Sequence, residues 1–157
     1  MRIPSLLLYL FIVTLVNTSC FKSETCDPKP VADEAPAIQA YAANQGISTT
    51  AHPSGLHYQI LTQGSGESPT TAHKVFIRYI GKLPDGTVFD EETDPTLTGW
   101  PLSQLIPGWQ TGLSLIQEGG RIRLLIPSAL AYGCKGYGTI PPNTFLDFDI
   151  ELIDIVQ

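Results

Sequence analysis

The chain has 157 residues, 43% of them hydrophobic, with 14 glycines, 13 prolines and a formal net charge of −6. That length holds one globular domain plus a short appendage. The glycine and proline content favours many short elements joined by turns over a helical bundle. The acidic balance, spread mostly as single charges, excludes the basic stripe of a nucleic-acid binder.

The first element in chain order reads as an export signal. Arg2 precedes the apolar run from Leu6 to Val13, which fades by Asn17-Thr18-Ser19-Cys20. A charged start, a short apolar centre and a small-residue exit describe a segment removed on export, here residues 1–19. The run is shorter than the roughly 20 apolar residues a spanning helix needs. Thr18-Ser19-Cys20 also resembles the lipobox of bacterial lipoprotein precursors, with Asn17 where that pattern has Leu. The resemblance implies acylation of Cys20 and a lipid anchor in the bacterial cell envelope, periplasm or outer membrane, with a soluble secreted or periplasmic protein as the alternative. With Cys20 acylated, Cys26 and Cys134 remain, either as one disulfide in an oxidising compartment or as two independent thiols. His52, His57 and His73 lie far from any cysteine pair, so no metal site is expected.

Residues 20–33 are polar and carry Pro28 and Pro30, a composition that reads as a flexible tether. A helical extension follows over 34–52. Asp33-Glu34 supplies an acidic start, Pro36 fits a first turn, Ile38, Tyr41 and Ala42 share a face, and Gly46 ends the helix. So short a helix needs a docking surface, either the domain or a second copy of the chain.

From 53 to 157 the pattern is that of a twisted antiparallel sheet. Leu56, Tyr58 and Ile60 alternate with His57 and Gln59, and Val75, Ile77 and Tyr79 alternate with Lys74, Phe76 and Arg78. Leu83-Pro84-Asp85-Gly86-Thr87 is a hairpin signal, since Pro84 presets one turn dihedral and Gly86 accepts a left-handed one. Pro107 to Gln117 reads as a helix with Trp109, Leu113 and Ile116 on one face, stopped by Gly119-Gly120. Ile122, Leu124 and Ile126 alternate with the solvated Arg121 and Arg123. Leu146, Phe148, Ile150 and Leu152 form a last inward face, with a phase break at Leu152-Ile153 that predicts a bulge. A curved sheet burying one face against one short helix is an α+β architecture.

Aromatics recur through this region beside turns or inside strands: Tyr79, Phe89 before Asp90, Trp100, Trp109, Tyr132 and Phe148. No nucleophile–base grouping accompanies them. The composition is that of an apolar ligand pocket with few polar groups, although any single buried aromatic is more often core.

In this order the motifs resemble the FKBP family of peptidyl-prolyl cis–trans isomerases. The resemblance rests on Tyr79-Ile80-Gly81, Phe89-Asp90, Ile106-Pro107-Gly108-Trp109, Ala131-Tyr132-Gly133, Ile140-Pro141-Pro142 and the last-strand Phe148. It implies an FKBP-like fold without a cofactor, and catalysis of X–Pro rotation with Asp90, Tyr132 and Phe89 as the catalytic set. Tyr79, Ile106, Trp109, Ile140, Phe148 and Trp100 would bind substrate, with Trp109 as the floor. Implied partners are proline-containing polypeptide clients and macrolide immunosuppressants, with no nucleic acid, for a monomer or weak dimer. The chain departs from the family at Arg78, where others carry His, at Thr96–Trp100, where others place another pocket Phe, and at Tyr137. A proline-binding chaperone or interaction module with little turnover is the competing class.

Overall fold

The computed structural model describes residues 26–157. The export signal and Cys20 lie outside those residues. An N-terminal helix, α1 (Val31–Asn44), precedes a seven-stranded antiparallel sheet. The strands are β1 (Thr50–Ala51), β2 (His57–Thr62), β3 (Lys74–Lys82), β4 (Val88–Glu92), β5 (Trp100–Pro101), β6 (Arg121–Ile126) and β7 (Leu146–Val156), with α2 (Pro107–Leu113) between β5 and β6. Their spatial order is β1-β2-β6-β7-β3-β4, and β5 pairs with β3.

The concave face follows the alternation in the sequence. Val75, Ile77 and Tyr79 of β3, Ile122, Leu124 and Ile126 of β6, and Leu146, Phe148, Ile150 and Leu152 of β7 are all buried in one cluster. Trp109 and Leu113 of α2 and Ile116 beyond it fill the hollow. The phase break is a bulge: Phe76 pairs with Asp154 and Ile77 with Leu152, which leaves Ile153 as the extra residue. The Leu83–Thr87 hairpin closes with Gly86 at φ +90° and paired bonds between Leu83 and Thr87 and between Gly86 and Leu83.

Two helix boundaries differ from the sequence reading. α2 stops at Leu113 instead of Gln117, because the amides of Leu115 and Ile116 reach back only to Gly112 and Leu113 in tighter turns. α1 begins at Val31, ahead of Asp33, so Pro36 lies inside the helix and Glu34 points inward, buried. Its C-terminus is a Schellman cap: Gly46 has φ +67°, and Ile47 and Gly46 amides bond the Ala42 and Ala43 carbonyls.

β2 also departs from simple alternation. Leu56 is buried, but Ile60 is 38% exposed, where the register with β6 shifts, and His57 is buried instead. His57, Leu125 and Asp147 form one row across the convex face, and α1 lies over that end of the sheet through a second core of Ile38, Ala42, Ile47, Leu125 and Phe145. Burial lowers the His57 pKa. Arg123 is correspondingly not a solvated side chain, since its Nε and Nη2 grip the buried Asp147 at 2.9 and 2.7 Å. Within the span read as a tether, Cys26 is disulfide-bonded to Cys134, and Asp27 and Lys29 bond Asn143. α1 therefore docks on its own sheet.

Tyr41 of α1 donates to Asp147 Oδ2 at 2.6 Å, and burial, reinforced by Asp147, pushes its pKa up to about 12. A hydroxyl whose folded pKa exceeds the unfolded value of about 10 contributes stability below pH 10 and loses it as pH rises toward 12. Tyr41→Phe should therefore cost about 1–2 kcal/mol at pH 8, where Asp147 loses a donor. The gap to wild type should narrow above pH 10 in urea denaturation. A gap that stays constant to pH 11.5 would contradict this.

Candidate active site

The wall of the concave site begins at the β3–β4 hairpin. Gly81 pairs with Asp90 and Lys82 with Val88, so Phe89 is the extra residue of a bulge. Bulges re-aim side chains, and this one lays the Phe89 ring over Gly81. A Cβ on Gly81 would come 2.6 Å from the Phe148 ring and 2.7 Å from Phe89. Glycine is required there by close approach alone.

The floor is set by α2. Pro107 occupies its first turn, and Gly108 and Gly112, four apart, let the helix backbone press on Ile126 and Leu124 of β6, where any Cβ would clash. That approach drives Trp109 into the hollow, where it is 5% exposed. Its ring meets Tyr79 and Phe148 edge-on, each at a centroid distance of 5.0 Å, and Phe89 meets Phe148 at 5.4 Å. Edge-to-face pairs of this kind add about 0.5–1.5 kcal/mol each beyond area burial.

These rings enclose a cavity of about 330 Å³ lined by Tyr79, Trp100, Leu105, Ile106, Trp109 and Phe148, with Asp90, Gln104, Tyr132 and Tyr137 as its polar groups. A second hollow of about 360 Å³ adjoins it, lined by Phe89, Gly138, Thr139 and Ile140 and sharing Asp90, Tyr132 and Tyr137 with the first. Every pocket residue named from the sequence thus lines one hollow or the other. Phe89 and Ile140 belong to the second only.

The polar groups are few and separately held. Tyr79 donates its hydroxyl to Asp90 Oδ2 at 2.8 Å, and burial, then the Asp90 bond, holds its pKa well above the usual tyrosine value. Burial, with Asp90 nearby, also raises the Tyr132 pKa. Both hydroxyls therefore stay protonated through the neutral range. The Trp109 Nε1–H has no partner among the described residues. The Ile106 carbonyl is taken by the amides of Trp109 and Gln110, and Gln110 Nε2 fixes the Leu105 carbonyl at 2.7 Å. No group of three or more metal-ligating side chains occurs among the described residues.

Five lining residues carry no site role in the sequence reading: Gln104, Leu105, Tyr137, Gly138 and Thr139. Tyr137 is 69% exposed yet stacks on Tyr132 at 5.2 Å and 15°. Its signal was its place in the loop after Ala131-Tyr132-Gly133. Gln104 and Leu105 come from the turn before α2, which no periodicity marks. A further hollow of about 220 Å³ on the convex face is lined by charges that pair with each other, Arg78 with Glu151 and Arg121 with Asp149.

Comparison with known proteins gives this arrangement its class. Residues 65–153 match the model of the FKBP-type peptidyl-prolyl cis-trans isomerases. The chain belongs to that family, and its architecture is the family's fold. It is 47% identical over 120 residues to a probable FKBP-type peptidyl-prolyl cis-trans isomerase FkpA of Neisseria meningitidis, an alignment covering 75% of this chain and 43% of that protein. Against FkpA of Escherichia coli it is 42% identical over 118 residues, covering 74% and 43%. The chain thus spans less than half the length of these curated relatives. Among solved structures, a peptidyl-prolyl cis-trans isomerase from Pseudomonas syringae superposes with a TM-score of 0.69 at 35% identity, covering 83% of this chain and 99% of that one. The crystal structure of E. coli FkpA gives 0.68 at 37%, covering 80% and 60%.

The packing around Gly81 makes a direct prediction. Gly81→Ala forces the Phe89 and Phe148 rings apart and should cost about 1–3 kcal/mol, the usual penalty of an overpacked core. Urea denaturation measures this, and a change below about 0.5 kcal/mol would mean that the rings yield freely.

Proposed function

We propose that the chain is a peptidyl-prolyl cis–trans isomerase acting on proline-containing segments of exported polypeptides. The observation that carries the reading is the aromatic cavity itself, walled by Tyr79, Trp109 and Phe148, with Asp90 and Tyr132 at its mouth. Rotation about X–Pro faces a barrier of ~18–20 kcal/mol because it breaks amide resonance. No covalent bond forms or breaks, so the site needs shape, desolvation and a few aimed dipoles.

In the twisted transition state the nitrogen becomes amine-like and the carbonyl loses polarisation. Water favours the planar, dipolar form, so moving the amide into an apolar hollow favours the twisted one relatively. The proline ring rests on Trp109 between Tyr79, Phe148 and Ile106, with Trp100 closing one side. Tyr132, kept protonated, donates to a substrate carbonyl, and the Ile106 N–H does the same. Asp90, held by Tyr79, faces the amide carbonyl as its dipole turns. Phe89 and Ile140 receive the residue chain entering from the second hollow. Macrolides that mimic a prolyl segment compete for the same cavity.

The setting is the bacterial cell envelope, with the mature chain anchored by acylated Cys20. The Cys26–Cys134 disulfide supports an oxidising compartment. A prolyl tetrapeptide assay with protease readout tests the activity. Wild type should accelerate isomerisation well above the uncatalysed rate, and Asp90→Ala and Phe89→Ala should each lose about tenfold or more in kcat/KM. If all three match the uncatalysed rate, the isomerase reading fails and the chain is a binding module.

Anchoring has its own test. Cys20→Ser should move the protein from the membrane fraction to the soluble one, since acyl chains supply the membrane affinity. Unchanged fractionation would count against the anchor.

A further inference from the structure

Among the buried polar side chains, Glu34 belongs to neither the cavity nor the ion pairs of the sheet. Glu34 of α1 is 1% exposed, and its Oε2 accepts the Ser128 amide at 2.7 Å and the Ser128 hydroxyl at 2.8 Å. A carboxyl group withdrawn from water this far persists only where donors replace its hydration. Ser128 opens the turn Ser128–Leu130, and its carbonyl accepts the amides of Ala131 at 2.9 Å and Gly133 at 2.8 Å. Tyr132 lies between those two amides. Its backbone is therefore fixed on both sides by one residue, and that residue's own amide and hydroxyl are both held by Glu34.

The same N-terminal segment grips the other side of the loop. Cys26 is disulfide-bonded to Cys134, two residues beyond Tyr132. The Lys29 amide donates to Asn143 Oδ1 at 3.2 Å, Asn143 Nδ2 donates to the Asp27 carbonyl at 3.4 Å, and the Asn143 amide bonds the Gly133 carbonyl at 2.9 Å. Asn143 holds φ +52°, a conformation that a residue with a side chain keeps when its surroundings determine it. The helix itself is docked a turn further on, by Ile38 and Ala42 against Leu125 and Phe145. Glu34 is thus spent on the loop.

We propose that the N-terminal extension is a brace for the Ser128–Asn143 loop, and that Glu34 is a positioning residue that sets the Tyr132 hydroxyl relative to the cavity. The inference rests on the isomerase reading above. The brace acts through contacts made before any substrate arrives, so it contributes preorganisation: the donor is already where the carbonyl will be. A displacement of about 1 Å at such a donor is enough to lower turnover severalfold or more.

The test uses the full exported chain as wild type, Glu34→Ala, Glu34→Gln, Tyr132→Phe and the double variant Glu34→Ala/Tyr132→Phe. Turnover on a prolyl tetrapeptide and amide hydrogen exchange at Ala131 and Gly133 are measured together. Glu34→Ala should lower kcat/KM about tenfold and speed exchange at Gly133 by a similar factor. Glu34→Gln keeps an acceptor oxygen and should recover most of both. In the Tyr132→Phe background the further loss on adding Glu34→Ala should vanish, because the hydroxyl being positioned is gone. A loss of equal size in both backgrounds, or kcat/KM within twofold of wild type, overturns the proposal and leaves Glu34 as a helix anchor. Should Glu34→Ala not fold, Ser128→Ala replaces it, with a smaller loss that must show the same dependence on Tyr132. A wild type without turnover sinks the isomerase reading instead, and the brace then stands or falls on the exchange at Ala131 and Gly133.

Discussion

The interlocked rings of Tyr79, Trp109 and Phe148 are the constraint on which everything else in this domain depends. They come from β3, a short helix and the last strand; Trp109 meets each of the other two edge to face at 5.0 Å, and Tyr79 and Phe148 meet tilted at 6.2 Å. The same atoms close the core and line the cavity, so the domain cannot lose its site without losing its packing. Three glycines make that geometry attainable. Gly81 lets two phenylalanine rings lie on β3, while Gly108 and Gly112 let α2 settle onto β6. The polar groups are few: Tyr79 donates to Asp90, and Tyr132, kept protonated by burial, is able to donate.

The sheet's two faces were unequally legible in the sequence, for a physical reason. Alternation in β3, β6 and β7 reports which residues leave the concave side, and Val75 through Leu152 took those places. Alternation says nothing of whether the opposite side is also covered. The burial of Leu125 and Asp147 depends on a helix that precedes them in sequence by a long interval, and no local pattern encodes that contact. The same limit applies to Ile60: it pairs with the buried Ile122, and so keeps the inward side that alternation assigns it, yet it is 38% exposed.

The site shows a comparable split. Motifs of fixed order, such as Phe89-Asp90 and Ala131-Tyr132-Gly133, are legible in the sequence alone, and Phe89, Asp90 and Tyr132 line adjoining hollows. Gln104 and Leu105 lie in a turn that carries no periodic signal. Glu34 was legible as an acidic residue near a helix start, where it would ordinarily meet solvent and the helix dipole. Its burial on Ser128 is a tertiary fact: the donor lies 94 residues away.

The position of β7 bears on how such a chain can come into being. This eleven-residue strand lies between β6 and β3, pairing with β6 from Leu146 to Glu151 and with β3 from Asp147 to Val156. A ribosome or translocon delivers it after every other strand. Until then β3 and β6 have no common neighbour, and the two halves of the sheet cannot join. Contacts of long sequence separation fold late and slowly. Closure of the sheet is therefore an event that follows delivery of the whole domain.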